Sequence, residues 1–167
     1  MIKPVVAAAL VCLALSTASL AQSGAGWERY DDRLNGFSVE LPFGLFEPSA
    51  QSDTPSQLFL ETDGDGQITL YSGDAAGMTL DDFAARLSAD DPNREITYRA
   101  EGGSWFVLSG FSQSQIEGVE PLIFYTKVLF SADGERFSGF EVSYPVSDKI
   151  RYDAIIERIE DSFTRPR

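Results

Sequence analysis

Two runs in this chain are apolar on both sides of an extended strand, and they restrict the fold more than any other feature. In SWFVLSGFSQ (104–113), Trp105, Val107 and Phe111 point one way while Phe106 and Leu108 point the other. PLIFYTKVLFS (121–131) has the same character. Successive side chains of a strand project to opposite faces, so each of these strands needs an apolar layer above and below it. A sheet with one face in water cannot hold them. The chain must build a sheet covered on both sides.

The remaining patterns supply the partners. GFSVELP (36–42) alternates Phe37, Val39 and Leu41 inward against Ser38 and Glu40 and stops at Pro42. QLFLET (57–62) and QITLYS (67–72) flank a Gly-Asp-Gly run and predict a hairpin over 57–72. TLDDFAARLS (79–88) places Leu80, Phe83, Ala84 and Leu87 at helical spacing; Thr79 is the N-cap, and Asp82 makes a variant capping box. That helix ends by Asp90-Asp91-Pro92. EITYRA (95–100) turns at Gly102-Gly103 into the first two-faced strand, and ADGE (132–135) turns the second into RFSGFEVSYP (136–145). In DKIRYDAIIERIEDSF (148–163), Tyr152, Ile155, Ile156, Ile159 and Phe163 form one helical stripe, with Ser147 as cap and Asp148 favouring the helix dipole. The order βββ-α-ββββ-α, with tight hairpins between strands, predicts a single α+β domain: an antiparallel sheet with helices packed on its faces. The domain spans 22–167, with its core over 27–163. No internal repeat, linker or low-complexity tract implies a second domain.

A leader, a GFSVELP first strand, a TLDDFAARL middle helix, a WFVLSG strand and a closing YDAIIERIEDSF helix together resemble the PsbP-like superfamily of small exported α+β domains. The resemblance covers most of 27–163 and rests on the order of elements and on short hydrophobic signatures. It implies an accessory or interaction role rather than catalysis and transfers no functional residue.

Residues 1–21 read as a secretory signal peptide. Lys3 supplies the positive n-region, PVVAAALVCLAL (4–15) the apolar h-region, and Ser19-Leu20-Ala21 the small-x-small cleavage site, so Gln22 opens the mature chain. An uncleaved anchor is the competing reading, but the apolar stretch ends in STAS without a positive stop-transfer cluster. Cys12 follows Val11, where a lipobox wants a small residue. The expected destination is the periplasm, with no stable membrane insertion once the leader is gone. Losing Lys3 moves the net charge from −13 to −14, and with Cys12 removed the mature chain has neither cysteine nor histidine. Thiolate nucleophiles, serine–histidine–acid triads, ordinary zinc sites and histidine-ligated haem are therefore excluded. Nucleic acid and anionic lipid require clustered cations, which this chain lacks. A protein partner in the envelope fits the charge; no cofactor is implied.

Candidate sites are few. Carboxylates are the one abundant catalytic-grade group, and Glu40 and Glu141 lie on strands beside aromatics, which keeps a carboxylate-based hydrolase of envelope glycans as an alternative function. Lys127 interrupts an apolar face between Tyr125 and Leu129, and the reading places it at a sheet edge or snorkelling to water. Trp27, Trp105, Phe106, Phe111, Phe124 and Phe140 are read as core. Tyr71, Tyr98 and Tyr144 are the candidates for a ligand or partner surface, against the simpler reading of sheet-face packing. ETDGDGQITLYSG (61–73) offers Asp63 and Asp65 at the third and fifth positions of a calcium loop over 61–72, with Gly66 and Ile68 where that loop wants a turn and a buried residue. Glu61 and Ser72 do not fit its two ends, and the flanks are strand-like. A hairpin turn whose glycines supply positive φ is the favoured reading, with weak calcium binding as a second alternative function.

Overall fold

Both two-faced runs lie inside a seven-stranded antiparallel sheet, with a hydrophobic cluster on either side of it. The computed structural model describes residues 24–50, 56–75, 77–114 and 116–167; the signal-peptide reading of 1–21 falls outside them. Strand β1 (Trp27–Asp32) pairs with β2 (Phe37–Pro42) in a separate ribbon. The sheet contains β3 (Phe46–Pro48), β4 (Ser56–Glu61), β5 (Gln67–Asp74), β6 (Arg94–Gly102), β7 (Trp105–Ser112), β8 (Leu122–Phe130) and β9 (Arg136–Pro145), in the spatial order β3-β4-β5-β9-β8-β7-β6. Helix α1 (Leu80–Asp90) connects β5 to the far edge strand β6, and α2 (Lys149–Ser162) follows β9 through one short 3-10 turn. β1 and β3 go beyond the three strands expected before the first helix. The reason is local: β1 buries little along WERYDD, and β3 has three residues. Neither carries an alternation long enough to read.

One face packs against α2 and the β1–β2 ribbon. Phe37, Val39 and Leu41 of β2 meet Ile68, Leu70, Phe140 and Val142 of the sheet and Tyr152, Ile155, Ile156 and Ile159 of α2. The expected stripe on the last helix is thus the buried one. Ser38 is also buried: its amide donates to Thr164 Oγ1 (2.8 Å), and its carbonyl accepts the Thr164 amide (2.9 Å). The other face packs against α1, where Phe83 and Ala84 cover Phe106, Leu108, Phe124 and Val128. Thr79 and Asp82 form the reciprocal cap: the Thr79 amide donates to Asp82 Oδ2 (3.0 Å), and the Asp82 amide donates to Thr79 Oγ1 (3.2 Å).

The cap expected at Ser147 is absent. The Ser147 amide and hydroxyl both donate to Glu120, at 3.0 and 2.8 Å, and α2 begins without a side-chain cap. A carboxylate from the β7–β8 connection offers two acceptors to Ser147, which helix capping by its own hydroxyl cannot match.

Candidate functional site

Two acid–base pairs join the sheet to α2. The first closes one end of the domain. Glu61, last in β4, accepts hydrogen bonds from the Gly66 amide (3.1 Å), the Tyr152 hydroxyl (2.7 Å) and the Arg151 guanidinium. Arg151 also pairs with Asp148 (2.8 Å) and lies over the Tyr152 ring. The Glu61 side chain is 4% exposed. Burial alone would push its carboxyl up, but the bonds from Arg151, Tyr152 and Gly66 outweigh it and hold the group below the usual carboxylate range.

The glycines of the turn serve this carboxylate. A Cβ on Gly64 would overlap Glu61 Oε2, and one on Gly66 would overlap the Tyr152 hydroxyl. Neither glycine is at positive φ. The hairpin is present as expected, but its glycines are required for close approach rather than for backbone handedness. Asp63 and Asp65 are exposed on the turn, while Glu61, the residue at the first calcium-loop position, faces inward. Among the described residues no three acidic side chains come together as ion ligands.

The second pair is part-buried. α2 packs chiefly on β2 and β9, and beside it the same sheet face over β6, β7 and β8 is only partly covered: Tyr98 is exposed, Trp105 and Tyr125 are half-buried, and Val107 is buried. There Lys127 Nζ meets Glu160 Oε1 at 2.6 Å, with roughly a quarter of each side chain exposed (21% and 28%). Lys127 is therefore on an interior strand, neutralised across the interface with α2, rather than at a sheet edge. Around the pair is a groove of about 490 Å³ walled by Tyr98, Trp105, Val107 and Tyr125. Burial raises the Tyr125 hydroxyl above its ordinary range, and the hydrogen bond to Glu160 raises it further.

Two backbone features build the groove. In strict alternation Ile96 and Tyr98 would share a face. A bulge between them pairs Ile96 with Gly110 and Tyr98 with Ser109, adjacent residues of β7, so Ile96 packs on the α1 side and Tyr98 on the α2 side. Tyr98 is 55% exposed there. At the β6–β7 turn a Cβ on Gly102 would collide with the Trp105 indole. Glycine at 102 lets the ring approach the β6 backbone closely where it lines the groove. Trp105, expected in the core, is half-buried at this rim. The sequence signals for it, in retrospect, are a glycine three residues before a tryptophan and a tyrosine on an edge strand.

The three singled-out tyrosines do not share a surface. Tyr71 stacks on Phe83 on the α1 side (6.0 Å), its hydroxyl pushed up by burial and then by the Glu141 charge. Tyr144 is in the opposite core, stacked on Tyr152 at 4.3 Å, its hydroxyl pushed up to about 12 by burial. Tyr98 alone opens to solvent. Glu40 and Glu141 are also apart. Glu40 receives Arg158 (2.9 Å) from α2, and Arg158 covers the half-buried Trp27. Glu141 receives both Arg94 terminal nitrogens (2.8 and 3.0 Å) and the Thr126 hydroxyl (2.7 Å) on the α1 side.

A small antiparallel α+β domain with one helix on each face and an open aromatic groove is the class these features define. No family model matches the chain, and no curated protein matches it. Solved structures share its fold. Cyanobacterial PsbP from Synechocystis sp. PCC 6803 superposes with a TM-score of 0.61 at 15% identity, covering 84% of this chain and 93% of that one. The Ran-binding protein Mog1p of Saccharomyces cerevisiae gives a TM-score of 0.62 at 7% identity, covering 83% and 94%. The fold is PsbP-like and Mog1-like. At these identities the likeness establishes architecture alone. Among the described residues no helix is long and apolar enough to cross a membrane.

Proposed function

We propose that this chain is an exported, non-enzymatic binding or accessory protein of the cell envelope, acting in the periplasm, and that it engages its partner through the groove on β6–β8. The observation that carries this reading is a groove beside α2 on a partly covered sheet face, lined by the exposed Tyr98 and the half-buried Trp105 and Tyr125. A concave site lined by aromatic side chains with a few polar groups is the usual form of a binding pocket. Export is supported by the leader pattern of residues 1–21. The fold serves binding in another chain, the Ran-binding Mog1p.

The hydrolase alternative asks for two carboxyls facing one cleft, one of them kept protonated as general acid. Glu40, Glu141 and Glu160 are each bonded to a different basic residue, and Glu61, the most enclosed acid, is held ionised. The test is co-sedimentation of the mature protein with isolated envelope. Retention of wild type and release of Tyr98→Ala supports the binding reading; equal retention of both overturns it. Soluble sugar fragments appearing in the supernatant would favour the hydrolase. For the 61–72 turn, any calcium held by Asp63 and Asp65 is weak, with a dissociation constant of about 10⁻⁴–10⁻³ M. Calorimetry on chelator-stripped protein checks this, and micromolar binding lost in Asp63→Asn/Asp65→Asn would overturn it.

A further inference from the structure

We infer that the groove is a saccharide subsite, taking the ring of a neutral pyranose; the inference rests on the binding reading above and names its ligand class. A pyranose presents an apolar C–H face and a rim of hydroxyls. The groove presents the complement: the aromatic side chains of Tyr98, Trp105 and Tyr125 in its lining, and a carboxylate–ammonium pair as the polar element.

Charge decides among ligands. Lys127 and Glu160 neutralise each other, so the site offers no net charge to an ion. The Lys127 ammonium still has donors to give, and the Glu160 carboxylate, bonded to Lys127 and Tyr125, still has acceptor positions. A hydroxyl both donates and accepts, so neighbouring hydroxyls of a sugar satisfy the two groups together without disturbing their balance. An acidic sugar would enter against the chain's net charge of −13. A cationic side chain would have to compete with Lys127 for the Glu160 carboxylate. A neutral polyol meets neither objection.

The edge strand argues against the other natural occupant, a peptide added to the sheet. β6 carries Arg94, Glu95, Arg99 and Glu101 along its length and the bulge at Thr97. Charges and bulges on an edge are the devices that prevent strand addition. The same bulge that blocks a peptide turns Tyr98 into the groove, and Gly102 seats the indole. Two local departures from regular strand structure thus converge on one ring-lined surface.

Proton–nitrogen NMR of the labelled mature protein tests this, with triacetylchitotriose and cellotetraose as probes up to about 10 mM, enough to read a dissociation constant near 1 mM. The expected result is saturating shifts of the Trp105 indole and of the Ala100 and Lys127 amides with at least one probe. Tyr98→Ala should weaken that binding about five- to tenfold, with its other resonances unchanged, as loss of one stacked ring predicts. Trp105→Phe keeps a ring at that position and should weaken it less. Absence of shifts in the groove with both probes, or shifts indifferent to Tyr98→Ala, overturns the inference. If envelope retention depends on Tyr98 but is abolished by protease treatment of the envelope, the ligand is a protein: the binding reading then stands and the saccharide falls. If retention is indifferent to Tyr98, both fall.

Discussion

Glu61–Arg151 and Lys127–Glu160 are the same chemistry placed twice between one sheet and one helix, and the surroundings give them different roles. At Glu61, two glycines admit the carboxylate and the Tyr152 hydroxyl so closely that no Cβ fits, and the carboxylate side chain is 4% exposed. At Lys127, Glu160 of α2 bonds the ammonium and Tyr125 beside a groove lined by aromatic side chains. The first pair is a fastening: it locks the β4–β5 turn onto α2 with three donors on one carboxylate. The second contributes little to stability, because partly exposed pairs are screened by water. The difference lies in the carboxylates, 4% exposed at Glu61 against 28% at Glu160, since Arg151 itself is 41% exposed and Lys127 21%.

That contrast can be broken from its common support outward. Ile156 is mid-stripe on α2 and buried. Ile156→Asp would bury an unpaired carboxylate at a cost of about 5 kcal/mol, comparable with the stability of a whole domain. The expected result is loss of a cooperative melt and of both pairs; a melting temperature within a degree or two of wild type would mean α2 is not docked as described. Gly66→Ala is next. Its methyl would displace the Tyr152 hydroxyl, and overpacking of this kind costs about 3 kcal/mol by urea denaturation.

Glu61→Gln sharpens the comparison through pH. At neutral pH it should cost about 2 kcal/mol, the charge-assisted part of the Arg151 and Tyr152 bonds. Because the folded carboxyl titrates below its ordinary value of 4.5, the unfolded chain takes up the proton first as acid is added. Glu61 therefore contributes its full stability above that value and loses it as pH falls through the folded pKa. Urea midpoints measured from neutral pH down to below pH 4 should fall more steeply for wild type than for Glu61→Gln. Parallel curves would show that the carboxylate is not clamped. The smallest effect belongs to the second pair. Lys127→Met keeps the apolar stem and should change stability by about 0.5 kcal/mol or less, with no shift in acid sensitivity of the Glu61 kind. A loss as large as that of Glu61→Gln would erase the distinction between the two sites.

Much of this architecture was legible in the chain, and the reasons are periodic. Phe37, Val39 and Leu41 on a strand, and Ile155, Ile156 and Ile159 on a helix, announce their faces because burial repeats every second residue or every third and fourth. Thr79 and Asp82 announce a helix start because the cap is a bond between residues three apart. The candidate site was less legible. Tyr98 was among the residues singled out, but its grouping with Tyr71 and Tyr144 assumed that similar residues on strands share a surface. The sheet order and the bulge at Thr97 place the three in different environments, and neither follows from alternation. Trp105 reads as core because one face of its strand is indeed core; its position at the rim depends on where α2 ends.

What the sequence determined by itself is therefore what local spacing can encode. The two-faced strands, the helix stripes, the hairpins, the negative charge and the missing imidazoles follow from residues and their intervals. The tertiary structure alone decided which carboxylates became enclosed and which sheet face stayed only partly covered. Glu61 meets Arg151 and Tyr152 across a separation of about ninety residues, and Lys127 meets Glu160 across 33. Such meetings depend on sheet order and helix placement, set by how the whole apolar surface is buried at once, and no interval along the chain records them.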